Sequence, residues 1–317
     1  MKPIIITGGG GYIGSAIASN LLKKKFLPII LDRSLKKKKY IFPTYKININ
    51  KIGKVLKKYN SDIIIHCASS NHSIKKNSNI KKYYEKNIID LIKMLFEISK
   101  IKKKFKIIFA SSCSVYGKNE KKIKINEKNI IEPYNVYGSI KLINEEIIKS
   151  FASIFNYKYV ILRLFNVSGV STNFKLSDIK ALPSNGIITK LIKKNKKNNI
   201  DISFFKNPKI TPIRDFVHID DVAEAFYKSI VYINKNKNKN NLFNIGSGSD
   251  GITLKDLIQN IEKIKEFKIK FNYKKSSNES FYVVANTNKA KQILNFNPKN
   301  SSIKKIINSF LNKNYES

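Results

Sequence analysis

The sequence predicts an α/β fold, a doubly wound parallel sheet followed by a smaller C-terminal region. Two observations lead to this prediction. Short apolar runs rich in β-branched residues alternate with helix-like stretches through the first half of the chain, and a glycine-rich loop directly follows the first run. Continuous apolar strands separated by helices are typical of a parallel sheet covered on both faces. The predicted strands are Ile4–Thr7, Pro28–Asp32, Tyr45–Ile49, Asp62–Cys67, Lys106–Ser111 and Tyr159–Leu164.

Four stretches between these strands have the apolar spacing of helices. They are Tyr12–Lys25, Ile52–Tyr59, Lys81–Ile101 and Tyr137–Asn156. Beyond the last predicted strand the alternation loosens, and two small amphipathic helices are predicted at Thr253–Ile264 and Ser301–Leu311. We therefore expect a sheet domain over residues 1–165 and a smaller region over residues 166–317, of which about 212–245 return to the sheet.

The chain is strongly basic, with 61 Lys and Arg against 22 Asp and Glu and a formal net charge of +39. Such a balance first suggests a nucleic-acid partner. The kind of basic residue argues against one, because only Arg33, Arg163 and Arg214 are arginines, and arginine is the side chain that reads guanine and phosphate with paired hydrogen bonds. Lys, Asn and Ile share A/T-rich codons, so we attribute the charge to nucleotide bias and predict no specific nucleic-acid partner.

Cysteine and histidine usage excludes several kinds of site. Cys67 and Cys113 are the only cysteines, too few for a disulfide framework or a multi-cysteine zinc module. His66, His72 and His218 have no metal-ligand spacing, so no metal site is predicted. No apolar run approaches the roughly 18 residues of a membrane span. We expect a cytoplasmic protein with reduced thiols and no membrane span.

The glycine-rich loop has the spacing of a dinucleotide site. The first strand runs into Gly8-x-x-Gly11-x-x-Gly14, and a helix opens at Tyr12 and Ile13. Glycines in this pattern allow a tight turn and a close approach of the backbone to a pyrophosphate, while the helix N-terminus adds N–H donors and a positive dipole end. Because a strand precedes the pattern and a helix follows it, the pattern predicts a dinucleotide cofactor in a Rossmann-type domain.

Asp32, at the end of the second predicted strand, is the acidic partner that such a loop needs. Its carboxylate is expected to accept hydrogen bonds from ribose hydroxyls and to repel a 2′-phosphate, which favours NAD over NADP. Arg33 leaves NADP as an alternative, because an adjacent arginine can accommodate that phosphate. NAD is the predicted cofactor.

A serine, a tyrosine and a lysine follow at positions suited to acid–base chemistry. Ser112 lies where the fifth predicted strand ends, and Tyr137 and Lys141 are four residues apart, which places them on one helix face. An ammonium beside a phenol favours the phenolate, so we expect the pKa of Tyr137 to fall below its usual value of about 10. Such a tyrosine can act as a base near neutral pH.

In their order and spacing these motifs resemble the extended short-chain dehydrogenase/reductases, and among them the nucleotide-sugar epimerases of the UDP-glucose 4-epimerase type. The resemblance covers nearly the whole chain and is more specific for the superfamily than for one substrate. The matching segments are Thr7–Ser15, Asp62–Ala68, Tyr83–Asn87, Ser111–Gly117, Tyr137–Lys141, Leu162–Gly169, Arg214–Asp221, Phe243–Gly248 and Ala285–Ala290.

The resemblance implies a role for each matching residue. It assigns Tyr137 as the catalytic base, Lys141 as the residue that holds the nicotinamide ribose, and Ser112 as the hydrogen-bond partner of the reacting sugar hydroxyl. The further cofactor contacts that it implies are Asn48, Ile49, Ala68 and Asn87. The substrate contacts that it implies are Asn166, Asn185, Arg214 and Val283.

The implied reaction is an NAD-dependent epimerisation of a nucleotide sugar, at C4 of a UDP-hexose. A hydride passes to NAD and returns to the other face of a transient 4-keto sugar. An NAD(P)H-dependent 4-keto-sugar reductase is one alternative, and a catalytically silent relative that binds nucleotides or nucleic acid is another. Cys113 and Ser114 stand where the family's dehydratases carry an Asp-Glu pair, which disfavours elimination of water.

Four positions bear on specificity. By the family resemblance, Ser276 stands where an arginine normally binds the diphosphate. Asn48 stands where an Asp normally accepts a hydrogen bond from the adenine amino group, and an Asn carbonyl oxygen can accept the same bond. Val283 lies at the gate near the sugar N-acetyl group, and its small side chain predicts some tolerance of UDP-N-acetylhexosamines. Cys113 follows a Ser-Ser pair, as an acid/base cysteine does in some GDP-sugar epimerase/reductases, but we interpret it as a small buried residue.

Two predicted helices, Lys81–Ile101 and Tyr137–Asn156, match those that pair across the dimer in the family. The resemblance therefore implies a homodimer. Four apolar residues of the first helix offer a face either for that contact or for packing on the sheet: Leu91, Met94, Leu95 and Ile98.

Overall fold

A computed structural model describes residues 1–35, 41–69, 80–171, 186–192, 200–204, 210–235, 240–266, 268–275 and 280–311. The strands in these ranges are β1 Pro3–Thr7, β2 Leu27–Leu31, β3 Thr44–Tyr45, β4 Ile63–His66, β5 Lys106–Ser112, β6 Lys158–Leu164, β7 Asn166–Ser168, β8 Ile200–Phe204, β9 Ile213–Arg214, β10 Phe216–His218, β11 Asn241–Ile245, β12 Ile252–Thr253, β13 Phe271–Lys275 and β14 Tyr282–Val283. The helices are α1 Tyr12–Lys23, α2 Ile52–Tyr59, α3 Ile80–Tyr84, α4 Asp90–Ser99, α5 Val136–Phe155, α6 Ile187–Ile192, α7 Ile219–Lys235, α8 Leu254–Lys265, α9 Asn288–Leu294 and α10 Ile303–Leu311.

Seven of the strands form one sheet in the order β11-β6-β5-β4-β1-β2-β3. Every neighbouring pair is parallel, and the register places Ile5 opposite Ile29 on one side and Ile64 on the other. This confirms the predicted doubly wound parallel sheet. The strand order reverses between β1 and β4, which is the point where such sheets bind their ligands.

Each face of the sheet has its own buried core, because successive side chains of a strand point to opposite faces. Ile4 and Ile6 of β1 belong to one cluster, which α1 and α7 cover with residues such as Ile17 and Phe226. Ile5 belongs to the other cluster, beneath α2, α4 and α5. Helices on both faces explain why these strands are continuously apolar.

Two predicted elements differ in detail from the structure. Of the predicted strand Tyr45–Ile49 only Tyr45 belongs to a strand, the two-residue β3, because a 3₁₀ turn begins at Ile49. The predicted single helix Lys81–Ile101 is three consecutive elements, since a π-helical turn at Glu85–Ile89 separates α3 from α4. Such turns insert one residue into a helix and occur often at functional sites.

The second half of the chain both returns to the sheet and adds a smaller cluster. Helix α7 packs against α1, and β11 pairs with β6 at the edge of the sheet. A separate apolar cluster joins α6, α8 and α10 through residues such as Leu191, Leu257 and Ile307. Within the described ranges, no helix combines the length and apolarity needed to cross a membrane.

Candidate active site

Several of the predicted site residues gather at the carboxyl edge of the central sheet. Strands β1, β2, β4 and β5 run parallel and therefore end at the same edge. The glycine loop, Asp32 and Ala68 follow the first three of these strands, and Ser112 is the last residue of the fourth. In the sequence these residues lie far apart, and the parallel topology brings them together.

The glycine loop packs tightly against the end of β4. Gly8 has a φ of +68°, and a Cβ atom there would lie 2.6 Å from the Cα of Ala68. A Cβ at Gly14 would collide with the carbonyl oxygen of Gly8. Gly11 is the N-cap of α1 and has no side chain to occupy the first N–H groups of the helix. The first turn of the helix, which begins at Tyr12 and Ile13, therefore has no side-chain cap, and the N-terminus of a helix is suited to an anion.

Asp32 is fixed beside this loop. Its Oδ2 accepts a hydrogen bond of 3.1 Å from the backbone N–H of Gly10, and its Oδ1 accepts from the N–H and hydroxyl of Ser34 at 2.9 and 2.8 Å. The neighbouring Arg33 reaches away from it, with Nη1 3.8 Å from Oδ2 of Asp90 on α4. A carboxylate next to the loop and a guanidinium paired elsewhere fit the ribose diol of NAD better than a 2′-phosphate.

Ser112, Tyr137 and Lys141 meet at the end of β5. The Ser112 hydroxyl caps the 3₁₀ turn Cys113–Tyr116, accepting from the N–H of Ser114 at 3.2 Å. Helix α5 begins at Val136 because the Asn135 side chain caps it, accepting from the N–H of Gly138 at 2.8 Å. This places Lys141 Nζ 5.7 Å from the Tyr137 ring centre. The lysine also donates a bond of 2.8 Å to the carbonyl oxygen of Ala110.

Comparison with known proteins agrees with this geometry. The sequence model of the NAD dependent epimerase/dehydratase family matches residues 4–246, about three quarters of the chain. The chain belongs to this family. It is 26% identical to the UDP-glucose 4-epimerase of Lactobacillus helveticus over 96% of this chain and 94% of the relative.

Solved structures of this epimerase family share the fold. The UDP-glucose 4-epimerase of Brucella ovis, solved in complex with NAD, aligns with a TM-score of 0.86 at 24% identity, covering 98% of this chain and 97% of that one. The UDP-Glc/GlcNAc 4-epimerase of Campylobacter jejuni aligns with a TM-score of 0.81 at 24% identity, covering 98% of both chains. The fold of this chain, with its seven-stranded parallel sheet, is therefore shared with these epimerases over almost the whole length.

NAD, the cofactor of this epimerase family, fits the residues present. The uncapped start of α1 and the glycine turn at Gly8 suit its pyrophosphate, and the Asp32 carboxylate suits the adenosine ribose. Lys141 is the cation at the other end of this edge, beside Tyr137. The Tyr12 hydroxyl donates to the carbonyl oxygen of Gly169 at 2.7 Å, which ties α1 to the loop after β7.

The expected pKa of Tyr137 is wrong for this structure. Desolvation raises the pKa of the phenol to about 12, and its hydrogen bond with Ser112 opposes that rise only partly. The physical reason is burial, which disfavours the charged phenolate, and the Lys141 ammonium, hydrogen-bonded to the Ala110 carbonyl oxygen, does not offset it. In the protein alone the phenol is therefore protonated near neutral pH.

Lys141 itself is strongly affected by burial. Desolvation lowers the pKa of its ammonium to about 8, against the opposing influence of Cys67 and Glu145. The side chain is 4% exposed, and its ammonium also lies 4.9 Å from the centre of the Phe109 ring. The charged form still predominates near pH 7, which leaves a buried cation next to Tyr137.

The other predicted cofactor residues have mainly structural contacts. Asn87 lies buried in the π-helical turn, where its Nδ2 donates to the carbonyl oxygen of Tyr83 at 2.8 Å and its Oδ1 accepts from the Ser69 hydroxyl at 3.0 Å. These bonds fix the segment that follows Ala68. The Ile49 side chain is buried in the core. Asn48, which precedes the 3₁₀ turn, has an extended backbone conformation.

On the predicted substrate side, a small three-stranded sheet joins Arg214 and Val283. These residues pair directly between β9 and β14. Nη1 of Arg214 donates to the carbonyl oxygens of Ser280 and Ile213 at 2.9 and 3.0 Å. Nδ2 of Asn166 donates to the carbonyl oxygen of Asp215 at 3.1 Å, which links β7 to the same strands. The predicted positions Asn185 and Ser276 lie outside the described residues.

One functional cluster was missed by sequence reasoning. The carboxylate of Glu145 on α5 pairs with Arg163 on β6, with Nη2 to Oε2 at 2.6 Å and Nε to Oε1 at 3.0 Å. The Ser111 hydroxyl donates to the same carboxylate. A signal was available, because Arg163 is one of three arginines in the chain and interrupts an apolar strand, and Glu145 follows Lys141 by one helical turn.

The described thiols and histidines, which do not include His72, show no catalytic arrangement. Burial raises the pKa of the Cys113 thiol to about 12, so it remains a thiol near neutral pH. This agrees with its interpretation as a small residue packed beside Phe165 and Val115. In the described part of the chain, no three His, Cys, Asp or Glu side chains are grouped so as to hold a metal.

Proposed function

We propose that the protein epimerises a UDP-hexose at C4 in an NAD-dependent reaction. The observation that carries this proposal is the cluster of Ser112, Tyr137 and Lys141, placed at the same sheet edge as the glycine loop and Asp32. The sequence similarity to a UDP-glucose 4-epimerase over 96% of the chain supports the choice of substrate class. Both cysteines are free, as expected of a cytoplasmic enzyme.

In the proposed reaction, Tyr137 removes the proton of the sugar 4-hydroxyl. Ser112, next to the phenol, orients that hydroxyl through a hydrogen bond. NAD held at this edge would supply the acceptor and then the donor of the C4 hydride, and its oxidised nicotinamide ring would add positive charge to the site. After the 4-keto sugar has turned in the site, the opposite face of C4 would receive the returning hydride, and Tyr137 gives the proton back to the 4-oxygen. C4 is then inverted with no net oxidation.

The electrostatics of the site make Tyr137 a conditional base. Its pKa is raised to about 12 by desolvation, so additional positive charge is needed to stabilise the phenolate. Lys141 supplies one buried cation, and the nicotinamide ring is positively charged before hydride transfer. Tyr137 is therefore expected to remove the proton only when the oxidised cofactor is bound, so that the sugar is not deprotonated when no hydride acceptor is present.

We further propose that Arg214 and Asn166 contact the sugar nucleotide. Arg214 is anchored by carbonyl oxygens of β9 and of the segment before β14. Its positive charge opposes the rise in the pKa of Cys113, the residue after Ser112, that burial causes. An anchored guanidinium is a side chain suited to binding a diphosphate. Asn185, outside the described residues, completes the proposed substrate set.

Val283 is the basis for a proposal about which sugars the enzyme accepts. It is partly exposed and packs against the small cluster that contains Val115, Phe165 and Ala285, beside Arg214. A valine leaves more room there than an aromatic ring. We propose that the enzyme also accepts UDP-N-acetylhexosamines.

A homodimer through α4 and α5 is supported by exposed apolar side chains, though not by the four residues first considered. Leu91, Met94, Leu95 and Ile98 are fully buried in the core and pack on the sheet. Exposed apolar side chains are instead carried by the end of the π-helical turn (Ile89), by α4 (Phe96) and by α5 (Ile143 and Ile154), and they are 41%, 53%, 38% and 73% exposed. Phe96 and Phe151 join the helices edge to face at 5.1 Å. Two copies of these helices bury each other's apolar surface.

The test is incubation of purified protein with a panel of nucleotide sugars, followed by NMR. Interconversion of UDP-glucose and UDP-galactose with no added cofactor is expected, because bound NAD is regenerated in every turnover. Turnover that strictly requires added NADH or NADPH would instead identify a 4-keto-sugar reductase. No turnover of any sugar, with steeply salt-dependent binding to nucleic acid, would indicate a silent binding protein.

A further inference from the structure

A buried ion pair lies directly beneath the catalytic lysine. Glu145 is fully buried and Arg163 is 1% exposed, and the Ser111 hydroxyl completes the group. The proposed reaction uses none of these three side chains. A buried ion pair loses so much hydration that it is weak evidence for stability. Its position next to Lys141 therefore calls for another explanation.

The geometry connects this group to each catalytic residue. Glu145 lies one turn after Lys141 and two turns after Tyr137 on the same face of α5. Arg163 is directly opposite Ser111 in the register of β5 and β6. Consecutive residues at the end of β5 therefore hold consecutive turns of α5: Ala110 binds Lys141, and Ser111 binds Glu145.

The charges around Lys141 single out Glu145. His66, the last residue of β4, and Cys67 after it interact electrostatically with the lysine, but burial lowers the pKa of His66 to about 3 and raises that of Cys67 to about 12, so both are neutral. Tyr137 on the same helix is also neutral near pH 7. Glu145 is the carboxylate that acts on Lys141 in favour of the ammonium. Arg163 on β6 is the cation paired with that carboxylate.

We propose that Glu145, clamped by Arg163 and Ser111, is a positioning residue that keeps the Lys141 ammonium charged and seated on the Ala110 carbonyl oxygen. The inference rests on the proposed function, because it gives Lys141 a catalytic role. The ion pair thus connects α5, which carries Lys141, to β6 and to its neighbour β5, which carries Ser112. The carboxylate of Glu145 offsets the loss of hydration that disfavours the charged form of Lys141.

The pH dependence of kcat tests this role. Glu145→Gln keeps the shape and hydrogen-bonding atoms but removes the charge. Without the carboxylate Lys141 loses its proton more easily, so the alkaline limb of the profile is expected to move to lower pH by about one unit. Glu146→Gln is the matched control, since Glu146 is the next residue, has a 59% exposed side chain and pairs with Lys149. The alkaline limb of the Glu146→Gln profile is expected to stay at the wild-type pH.

A second pair of variants guards against misfolding, because Glu145→Gln leaves Arg163 buried without its partner. The double variant Glu145→Gln, Arg163→Met removes both charges, and its limb is expected between those of the wild type and the single variant. Glu145→Asp retains the charge and is expected to restore the wild-type limb. A limb at the wild-type pH in the folded single and double variants would overturn the proposal and reduce the ion pair to a structural contact.

Failure of this inference is distinguishable from failure of the proposed function. If Lys141→Met is inactive while Glu145→Gln keeps the wild-type limb, the role of Glu145 is wrong and the reaction stands. If Lys141→Met keeps full activity, the role of the lysine is wrong, and with it the inference.

Discussion

Lys141 Nζ donates a hydrogen bond of 2.8 Å to the carbonyl oxygen of Ala110. Ala110 lies two residues before Ser112 on β5, so the bond sets the lysine in relation to the strand that carries the catalytic serine. The same ammonium lies 5.7 Å from the centre of the Tyr137 ring. Lys141 therefore acts on the tyrosine as a nearby buried charge, and its proposed direct contact is with the cofactor ribose.

Removal of that charge tests the role of the lysine. Lys141→Met is expected to lower kcat/KM for UDP-galactose by at least about 100-fold, because the phenolate loses its resident cation. Lys149→Met, on the same helix and paired with Glu146 at the surface, is the control and is expected to keep its activity. Comparable rates for the two variants would contradict the assignment.

The buried His66 predicts a dependence of stability on pH. Burial lowers the pKa of His66 from its ordinary value of 6.5 to about 3. The unfolded chain binds a proton below pH 6.5 while the folded chain does not, so the free energy of unfolding falls as the pH drops from 6.5 towards 3. This residue contributes about 1.4 kcal/mol per pH unit in that window.

Denaturation of His66→Asn checks this expectation. The variant is expected to lose less stability than the wild type between pH 6.5 and 4, after each is referred to its own value at pH 8. Thr7, whose Oγ1 lies 2.7 Å from Nδ1 of His66, loses a partner in the variant at every pH, which the reference removes. Parallel pH slopes for the two proteins would show that His66 is not the group responsible.

The size of residue 283 is expected to determine the choice of sugar. Val283→Tyr places a phenol ring beside Arg214 and is expected to suppress turnover of UDP-N-acetylglucosamine while UDP-galactose turnover continues. Rates with both sugars in one NMR assay measure the change. The proposal fails if the wild type turns over UDP-galactose but leaves UDP-N-acetylglucosamine untouched.

The outer face of α4 and α5 is expected to hold two copies together. Phe96→Glu introduces a charge at a 53% exposed aromatic residue and is expected to convert a dimer into a monomer in light scattering. Ile130→Glu, at an 80% exposed position before α5, is the control and should leave the mass unchanged. A wild-type protein that elutes as a monomer would rule out this interface.

The parts of the fold that follow from local pattern were predictable. A run such as Ile4–Thr7 followed by Gly8 shows both the buried strand and its turn, and the spacing of Tyr137 and Lys141 shows their shared helix face. The direction of the Lys141 ammonium was not predictable, because it depends on a carbonyl oxygen 31 residues earlier in the chain. For the same reason desolvation of Tyr137, which reverses the expected pKa shift, cannot be derived from the spacing.

The buried pair of Glu145 and Arg163 illustrates the same limit. In a chain with 61 basic residues, charge by itself distinguishes none of them. Only the register of β5 and β6 places Arg163 opposite Ser111, and only the packing of α5 brings Glu145 between them. Contacts that join distant segments depend on tertiary packing, which a local pattern does not contain.

The central claim is that Tyr137 epimerises a UDP-hexose at C4 by means of tightly held NAD. The most direct measurement is the rate of UDP-galactose conversion to UDP-glucose, with no added cofactor, for the wild type and for Tyr137→Phe. The phenyl ring keeps the packing but has no proton to exchange, so a loss of at least about 100-fold in kcat is expected with NAD still bound. Equal rates for the two proteins, or a wild type that turns over only with added NADH or NADPH, would contradict the claim.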